Sequence, residues 1–298
     1  MNFQKIVEDI RNLKIQGAQN IAKASVKALE IIAHKVRNER KIYQIHNLNK
    51  AKQILFKTRP TEPAMRNTLN YLLHNIEISY DIYTEISKRT KEVKHHFNLI
   101  TNKIAQIGSK KIKNKMIVFT HCHSSTVIEI LKQAKLQKKT FTVHNTETRP
   151  KFQGRLTAKD LHRFGIPVIH FVDSAARLAL KKADIMLLGA DAITAEGKVI
   201  NKIGSELMAE VAEKWDVPVY ICTDSWKFDP KSVFGFEEEI EKRNPKEIWP
   251  TAPKGVLIHN FAFEKIDPNL ITGIISELGI YTPTIFVEEV KRAYPWMF

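Results

Sequence analysis

The stretch MIVFTHCHSS, residues 116–125, decides the fold class. Its first five residues form an apolar run typical of a buried strand, and its serines can cap a following helix. The stretch DIMLLGAD, residues 184–191, has the same character and ends in Asp191. Cys122 and Asp191 therefore both follow predicted strands, at the edge where parallel α/β sheets form their binding crevice. A thiol and a carboxyl group placed there are a candidate proton-transfer pair, which predicts an enzyme.

Outward from this stretch, strand-like and helix-like segments alternate. The candidate strands are 116–120, 140–144, 167–172, 184–189 and 217–222, each rich in Val, Ile, Phe or Leu. The helix-compatible segments are 125–136, 157–164, 174–182 and 205–214. This alternation predicts an α/β fold with a Rossmann-like, mostly parallel open sheet, and the continuous apolar runs fit strands covered on both faces. A polar segment at 229–255 then precedes a final strand and helix.

The first 110 residues follow a different pattern, in which apolar residues recur at helical spacing, as they do over 21–33. Glycines and β-branched runs are few in this part of the chain. We therefore predict an N-terminal helical domain over residues 1–110. An α/β domain that carries catalysis and oligomerisation is expected over residues 111–298.

Two polar segments are expected to separate helices within the N-terminal part. They are NLNK at 47–50 and TRPTEP at 58–63, where Pro60 and Pro63 exclude a continuous helix. Pro60 also biases the preceding Arg59 toward an extended conformation, which would present its guanidinium group from a fixed segment.

Composition restricts the classes of partner. The chain has 298 residues, a formal net charge of +15 and 43% hydrophobic residues, so it is long enough for a large core and suited to anionic partners. Phosphorylated metabolites and nucleic acid both fit that charge. Nucleic acid is the less favoured partner, because lysine-rich runs are typical of solvated helix faces and no nucleic-acid motif accompanies them.

Leader, membrane and cofactor signals are absent from the sequence. The N-terminus has no apolar signal-peptide core, and no run approaches the roughly 20 apolar residues that span a bilayer, so a cytoplasmic location is expected. Cys122 and Cys222 are the two cysteines, and neither has zinc-site spacing. No GxGxxG follows a strand. We expect neither a metal nor a cofactor.

Polar side chains follow several of the predicted strands. Ser124 or Ser125 can cap a helix whose free N–H groups suit a phosphate, and Arg149 on a proline-restrained loop can bind one bidentately. Asn201 and Lys202 precede another helix start. Groups from several strand ends that converge on one crevice predict a binding site.

Each of these residues also has a purely structural interpretation. A cysteine after a strand is more often a small buried hydrophobe than a catalyst, and Cys222 illustrates that case. Asp173 is as well suited to cap a helix as to bind a substrate. Asp191 can satisfy a turn, and both Arg59 and Arg149 can serve in surface ion pairs.

Five motifs in fixed order carry a family resemblance. HC-x-SS at 121–125, TETRP-x-x-QG at 146–154, VDSAA at 172–176, GADAI at 189–193 and NKIG at 201–204 resemble the family of ribose-1,5-bisphosphate isomerase, methylthioribose-1-phosphate isomerase and the regulatory subunits of eukaryotic translation initiation factor 2B. The resemblance implies that Cys122 and Asp191 are the catalytic pair, which the noncatalytic translation-factor subunits generally lack. The SWKFDP stretch at 225–230 looks more like the archaeal ribose-1,5-bisphosphate branch than the methylthioribose branch.

The resemblance also implies which residues bind phosphate and sugar. They are Gly17, Ala18, Arg59, Ser124 or Ser125, Arg149, Asn201 and Lys202, with Lys227 a weaker candidate. The isomerases usually have an arginine before the Gly-Ala pair, whereas this chain has Gln16. Loss of that guanidinium group would weaken phosphate affinity by roughly 1.5–3 kcal/mol unless another cation replaces it, which leaves a different phosphorylated sugar open.

The implied reaction converts ribose 1,5-bisphosphate to ribulose 1,5-bisphosphate in nucleoside monophosphate salvage. Asp191 would protonate the ring oxygen, and Cys122 would relay a proton from C2 to C1. For these roles we expect the Cys122 pKa to lie below the usual value of about 8.5, and the Asp191 pKa to be raised.

Family members also pair with copies of themselves, so a dimer or a hexamer of dimers is expected, and a nucleotide activator remains open. The tail at 274–298, with Tyr281, Phe286, Trp296 and Phe298, offers aromatic surface for such pairing. Its alternative role is to complete the monomer's own core.

Overall fold

The computed structural model describes residues 2–237 and 240–298. Five helices come first: α1 (Phe3–Arg11), α2 (Ala18–Val36), α3 (Lys41–Phe56), α4 (Pro63–Leu73) and α5 (Ile82–Ser109). Apolar residues three and four positions apart give each helix one buried stripe. In α2 that stripe includes Ile21, Val26 and Leu29, which pack into a core shared by all five helices.

One of the two predicted helix breaks is confirmed and the other is wrong. TRPTEP separates α3 from α4, and Pro63 occupies the first turn of α4, where its missing N–H costs nothing. NLNK instead lies inside α3, because Leu48 is buried on the same face of the helix as Leu55, which lies two turns further along. Tertiary packing of that face outweighs the polar residues around it.

The main sheet has seven strands in the order β10-β9-β7-β4-β1-β2-β3. These are β1 (Met116–Thr120), β2 (Phe141–Thr146), β3 (Val168–Phe171), β4 (Ile185–Leu188), β7 (Val219–Cys222), β9 (Gly273–Ser276) and β10 (Gly279–Tyr281). All neighbouring strands pair in parallel except β10, which is antiparallel to β9. The predicted α/β class with a mostly parallel open sheet is confirmed.

Helices cover the sheet on both faces. They are α6 (Ser125–Leu136), α7 (Gln153–Arg163), α8 (Ala176–Leu180), α9 (Ser205–Lys214) and α10 (Pro283–Ala293). The predicted helices 125–136 and 205–214 match α6 and α9. Helix α7 begins four residues earlier than the predicted 157–164, and the predicted 174–182 is a 3₁₀ turn at Asp173–Ala175 followed by the short α8.

A small antiparallel sheet of β5 (Ala192–Ile193), β6 (Val199–Lys202) and β8 (Phe263–Ile266) was not predicted. It carries Asn201 and Lys202 on β6. The predicted polar segment 229–255 is irregular where the structure describes it, with 3₁₀ turns at Pro230–Phe234 and Pro245–Glu247. Residues 238 and 239 of that prediction lie outside the described residues.

The C-terminal tail packs mainly into the monomer. Phe286 is fully buried beside the sheet, and Trp296 packs against the core of the N-terminal helices. The prediction that the tail offers free aromatic surface is therefore wrong for these side chains, although Phe298 is 46% exposed. The division into domains at residue 110 stays a prediction, since Trp226 from the second part belongs to the helical core.

No helix among the described residues is both long enough and apolar enough to cross a bilayer.

Candidate active site

Cys122 follows β1 in a backbone conformation that is uncommon for a residue with a side chain. Its φ is 65°, in the left-handed region, which costs about 1 kcal/mol or more outside glycine. Two threonines hold it there. The Cys122 N–H donates to Thr148 Oγ1 (3.0 Å), and the Cys122 carbonyl accepts from Thr157 Oγ1 (2.7 Å). The direction in which the thiol leaves the backbone is thus fixed from both sides.

His121 joins three strand ends behind that cysteine. Its Nε2–H donates to the Ile203 carbonyl (2.9 Å), so Nδ1 accepts from Thr146 Oγ1 (2.6 Å). Burial lowers the His121 pKa, and the carbonyl of Ile203 only partly opposes this, so the ring is neutral near pH 7. The ring ties β1 to β2 and to the segment after β6, and its role is structural.

Asp173 holds the loop after β2 in place. Its carboxylate accepts from the N–H groups of Thr148 (2.8 Å) and Arg149 (2.7 Å). Asp173 begins a 3₁₀ turn and does not cap a helix, so its predicted capping role is wrong, whereas its substrate role stays a prediction. At the end of the same loop a Cβ on Gly154 would lie 1.7 Å from the Thr146 carbonyl oxygen, so only glycine lets α7 begin so close to β2.

Asp191 lies on the loop after β4, next to the loop of Cys122. A Cβ on Gly189 would lie 2.7 Å from Ser124 Oγ, which shows how closely these two loops approach. The Asp191 N–H donates to the Ile200 carbonyl of β6 (2.8 Å). The loop therefore meets both the HCHSS loop and the strand that carries Asn201 and Lys202.

The loops of Cys122 and Asp191 pack closely enough for the charge of Asp191 to reach the Cys122 thiol. Burial raises the pKa of the Asp191 carboxyl, opposed by the nearby charges of Lys227, Lys202 and Arg59, so the predicted direction is confirmed. Burial also raises the pKa of the Cys122 thiol to about 11, opposed first by Lys202 and raised further by Asp191. The predicted low pKa of Cys122 is wrong.

The Cys122 pKa is raised because the thiol is surrounded by protein, although the residue as a whole is only half-buried. Desolvation disfavours the thiolate more than the α6 N-terminus and Lys202 favour it. The Cys122 thiol is therefore protonated near pH 7, and Lys202 is the cation that most lowers its pKa.

The other predicted binding residues divide into two groups. Ser124 caps α6 by accepting from the Val127 N–H (3.4 Å), and Ser125 is the first residue of that helix. Asn201 donates to Ser205 Oγ (3.0 Å), and Lys202 Nζ lies 4.7 Å from the centre of the Phe263 ring. These residues surround the loops of Cys122 and Asp191.

Gly17, Ala18 and Arg149 are not joined to Cys122 or Asp191 by any hydrogen bond or ion pair among the described residues. Gly17 precedes α2 with φ of 83°, and Ala18 begins that helix. Arg149 is exposed, with its guanidinium carbon 5.2 Å from the centre of the Phe152 ring. Gln16 is exposed and donates to the Leu13 carbonyl (2.7 Å).

Arg59 does not lie free on the surface. It is buried, and its guanidinium group contacts Glu62 (3.1 Å) and Glu241 (3.4 Å). Lys227 is buried too, and its ammonium group donates to the Ala190 carbonyl (2.7 Å), one residue before Asp191. Lys227 thus lies next to the loop of Asp191, although the resemblance made it only a weaker candidate for binding.

Glu62 was missed altogether. Its charge interacts with those of Arg59, Asp191 and Lys227, and burial raises its pKa to about 7. The only sequence signal was its place in TRPTEP. In the part of the chain that the structure describes, no three His, Cys, Asp or Glu residues are grouped to hold a metal ion.

Comparison with known proteins places this site in a family. The chain belongs to the initiation factor 2 subunit family, whose model matches residues 14–283. It is 37% identical to a protein of Pyrococcus furiosus named ribose 1,5-bisphosphate isomerase, over 99% of this chain and 94% of that one. A methylthioribose-1-phosphate isomerase of Caldanaerobacter subterraneus is 32% identical over 94% of this chain and 88% of its own length.

A solved structure has the same fold. The crystal structure of a Pyrococcus horikoshii OT3 protein titled translation initiation factor eIF-2B superposes with a TM-score of 0.83 at 27% identity, covering 96% of this chain and 98% of that chain. The family predicted from the five motifs is confirmed.

Proposed function

We propose that this protein is a sugar-phosphate isomerase that converts ribose 1,5-bisphosphate to ribulose 1,5-bisphosphate. The observation that carries the proposal is that the loops of Cys122 and Asp191 pack against each other, with Gly189 against Ser124. Asp191 is also hydrogen-bonded to the strand that carries Lys202. The name of the Pyrococcus furiosus relative supports both the enzyme class and the substrate.

The reaction needs four proton transfers, and each of the two groups suits two of them. With its raised pKa, Asp191 is able to hold a proton and donate it to the ring oxygen, which opens the ring. Cys122 removes the proton on C2 and returns it to C1, through an enediol-like intermediate that bears the C1 phosphate. Asp191 then recovers a proton from the C2 hydroxyl, which becomes the ketone oxygen. The bonds and protons balance without a redox partner.

The Cys122 thiol must be ionised to remove the C2 proton. Its raised pKa makes this ionisation costly. Lys202 is the cation that most favours the thiolate, and it also acts on Asp191. We therefore assign Lys202 to stabilising the negative charge that passes from sulfur to the enediol oxygen.

Phosphate binding is assigned to the groups around this pair. Ser124, Ser125 and the N-terminus of α6 supply donors on one side, with Asn201 and Lys202 on another. Arg59, Arg149, Gly17 and Ala18 extend the set, and Lys227 joins it because of its position beside Asp191.

The assay is direct. Purified protein is incubated with ribose 1,5-bisphosphate, and NMR spectra identify the product. Appearance of ribulose 1,5-bisphosphate, lost in a Cys122→Ser variant, supports the proposal. A wild-type protein that leaves ribose 1,5-bisphosphate unchanged refutes it.

Gln16 favours two other candidates, because its amide replaces the guanidinium group usual in the isomerases. One is the isomerisation of another sugar 1-phosphate, such as methylthioribose 1-phosphate. Turnover of that compound in preference to ribose 1,5-bisphosphate would establish it. The other is a noncatalytic regulatory subunit, which co-purification with the initiation factor 2 α subunit and absence of turnover would support.

Assembly, location and regulation belong to the same proposal. Exposed apolar side chains at Phe234, Phe236 and Leu257 support a homo-oligomer, either a dimer or a hexamer. A nucleotide activator and a cytoplasmic role in nucleoside monophosphate salvage accord with the proposed substrate. Light scattering with and without AMP would test the assembly and the effect of a nucleotide on it.

A further inference from the structure

Three buried side-chain atoms without a hydrogen-bond partner belong to residues 59–62, inside the TRPTEP segment. They are Arg59 Nε, Thr61 Oγ1 and Glu62 Oε2. Nearly all buried polar atoms in folded proteins have a hydrogen-bond partner, because leaving one unpaired costs about 1–3 kcal/mol. Just beyond this group, Asn67 of α4 donates to the carbonyls of Trp226 and Phe228, and Lys227 between them contacts the loop of Asp191. The group therefore marks a place near that loop that a polar ligand completes.

Glu62 is the charged residue in this group that the proposed mechanism does not use. It is 2% exposed, and Oε1 accepts from Arg59 while Oε2 has no partner. The charges that act on it come from Arg59 on its own segment, Asp191 after β4, Lys227 after β7 and Glu241 from the segment before β8. Burial is the largest influence on its pKa, which is raised to about 7, with Arg59 opposing.

A phosphate that binds Arg59 must compete with these carboxylates. The guanidinium group already contacts Glu62 at 3.1 Å and Glu241 at 3.4 Å. An ionised Glu62 next to a phosphate would place like charges together in a buried site. Uptake of one proton by Glu62 removes the repulsion. It also turns one of its carboxyl oxygens into a hydrogen-bond donor.

We propose that Glu62 is a further substrate-binding residue, which pairs with Arg59 in the empty site and, once protonated, donates a hydrogen bond to the phosphorylated sugar. This role rests on the proposed function. The proton comes from solvent on binding and returns to solvent on product release. Glu62 thereby sets how affinity for the anionic substrate changes with pH.

The test compares KM for ribose 1,5-bisphosphate between pH 6 and 9 in the wild type, Glu62→Gln and Glu241→Gln. Wild-type KM should rise above about pH 7, approaching tenfold per pH unit, because the proton must then be taken from solvent. In Glu62→Gln the amide has N–H donors at every pH, so KM should stay nearly constant. Glu241→Gln removes a carboxylate at a similar distance from Arg59. It should keep a rise of the same steepness, which begins at lower pH because the charge of Glu241 helps to raise the Glu62 pKa.

A second measurement does not depend on a variant. Calorimetry of ribulose 1,5-bisphosphate binding to the wild type at pH 8, in buffers of different ionisation enthalpy, should show uptake of close to one proton per site. No uptake, or a Glu62→Gln profile that rises like the wild type, overturns the role of Glu62 while turnover persists. Wild-type protein without any turnover overturns the proposed function and this role together.

Discussion

Cys122 and Cys222 lie at the ends of two strands of one sheet, and burial raises the pKa of both thiols. Around Cys122 the backbone is left-handed, two threonines hold it, and the charges of Lys202 and Asp191 reach the sulfur. Cys222 is the last residue of β7 and is fully buried in the core of the sheet, with burial as the whole cause of its shift. Burial alone therefore does not distinguish a catalytic thiol from a structural one, whereas nearby charges and a constrained backbone do.

The largest difference is expected when each thiol is replaced by a hydroxyl. Cys122→Ser should lower kcat about 10³-fold or more, because a serine hydroxyl is a much weaker acid than a thiol and cannot relay the C2 proton. Turnover of ribose 1,5-bisphosphate under saturating substrate measures the effect. Cys222→Ser serves as the control and should stay within about threefold of the wild type. Equal losses in both variants would show that the comparison is mistaken.

Removing the cation beside Cys122 should have the next largest effect. Lys202→Met should lower kcat about 10- to 100-fold, since one charge-assisted contact is worth about 1.5–3 kcal/mol. Lys198→Met is the matched control, because Lys198 lies just before β6 and pairs with Glu196, the one ion pair it makes among the described residues. A Lys202→Met enzyme as fast as Lys198→Met would remove Lys202 from the mechanism.

For stability, the larger loss is expected in Cys222→Ser and the smaller one in Cys122→Ser. Cys222→Ser places a hydroxyl in an apolar core and should lower the free energy of unfolding by about 1–3 kcal/mol. Cys122→Ser should change it by less than about 1 kcal/mol, since Cys122 is only half-buried. Urea unfolding of both variants provides the measurement, and a larger loss in Cys122→Ser would contradict this account.

Alkylation by iodoacetamide should also distinguish the two thiols, in the native wild type and without any substitution. Because its pKa is raised to about 11, the thiolate fraction of Cys122 should increase about tenfold per pH unit from pH 7 to 10 without a plateau. Cys222 should react only after unfolding. Peptide mass spectrometry resolves the two sites, and a Cys122 rate that levels off below pH 9 would instead indicate an activated thiol.

The sequence was sufficient where short-range patterns determine structure. Strand 116–120 and helix 125–136 were predicted correctly, because an apolar run and a serine cap are both local signals. The small sheet of β5, β6 and β8 was not, since β5 has only two residues and β6 and β8 include polar residues instead of a continuous apolar run. NLNK was misassigned because the burial of Leu48, which keeps α3 helical, depends on other helices.

The site also has features that follow from local sequence patterns and features that follow only from tertiary packing. Cys122 and Asp191 were found by their positions after predicted strands and by the family motifs. The Cys122 pKa was predicted in the wrong direction, because helix ends and lysines are visible in a sequence whereas desolvation by packed loops is not. Glu62 was missed for the same reason. A glutamate after a proline turn is ordinarily exposed, and its burial beside Arg59 follows only from the packing of α4 against the segment after β7.

The fate of the C2 hydrogen tests the central claim most directly. Ribose 1,5-bisphosphate carrying deuterium at C2 is converted in ordinary water, and NMR measures deuterium at C1 of the ribulose 1,5-bisphosphate formed. Because a thiol carries a single hydrogen and the bound sugar would cover the half-buried Cys122, we predict that most of the label moves from C2 to C1 in the wild type. Cys122→Ser should form product about 10³-fold more slowly or worse. Product that contains only solvent hydrogen at C1, or that forms equally fast without the Cys122 thiol, would contradict the account.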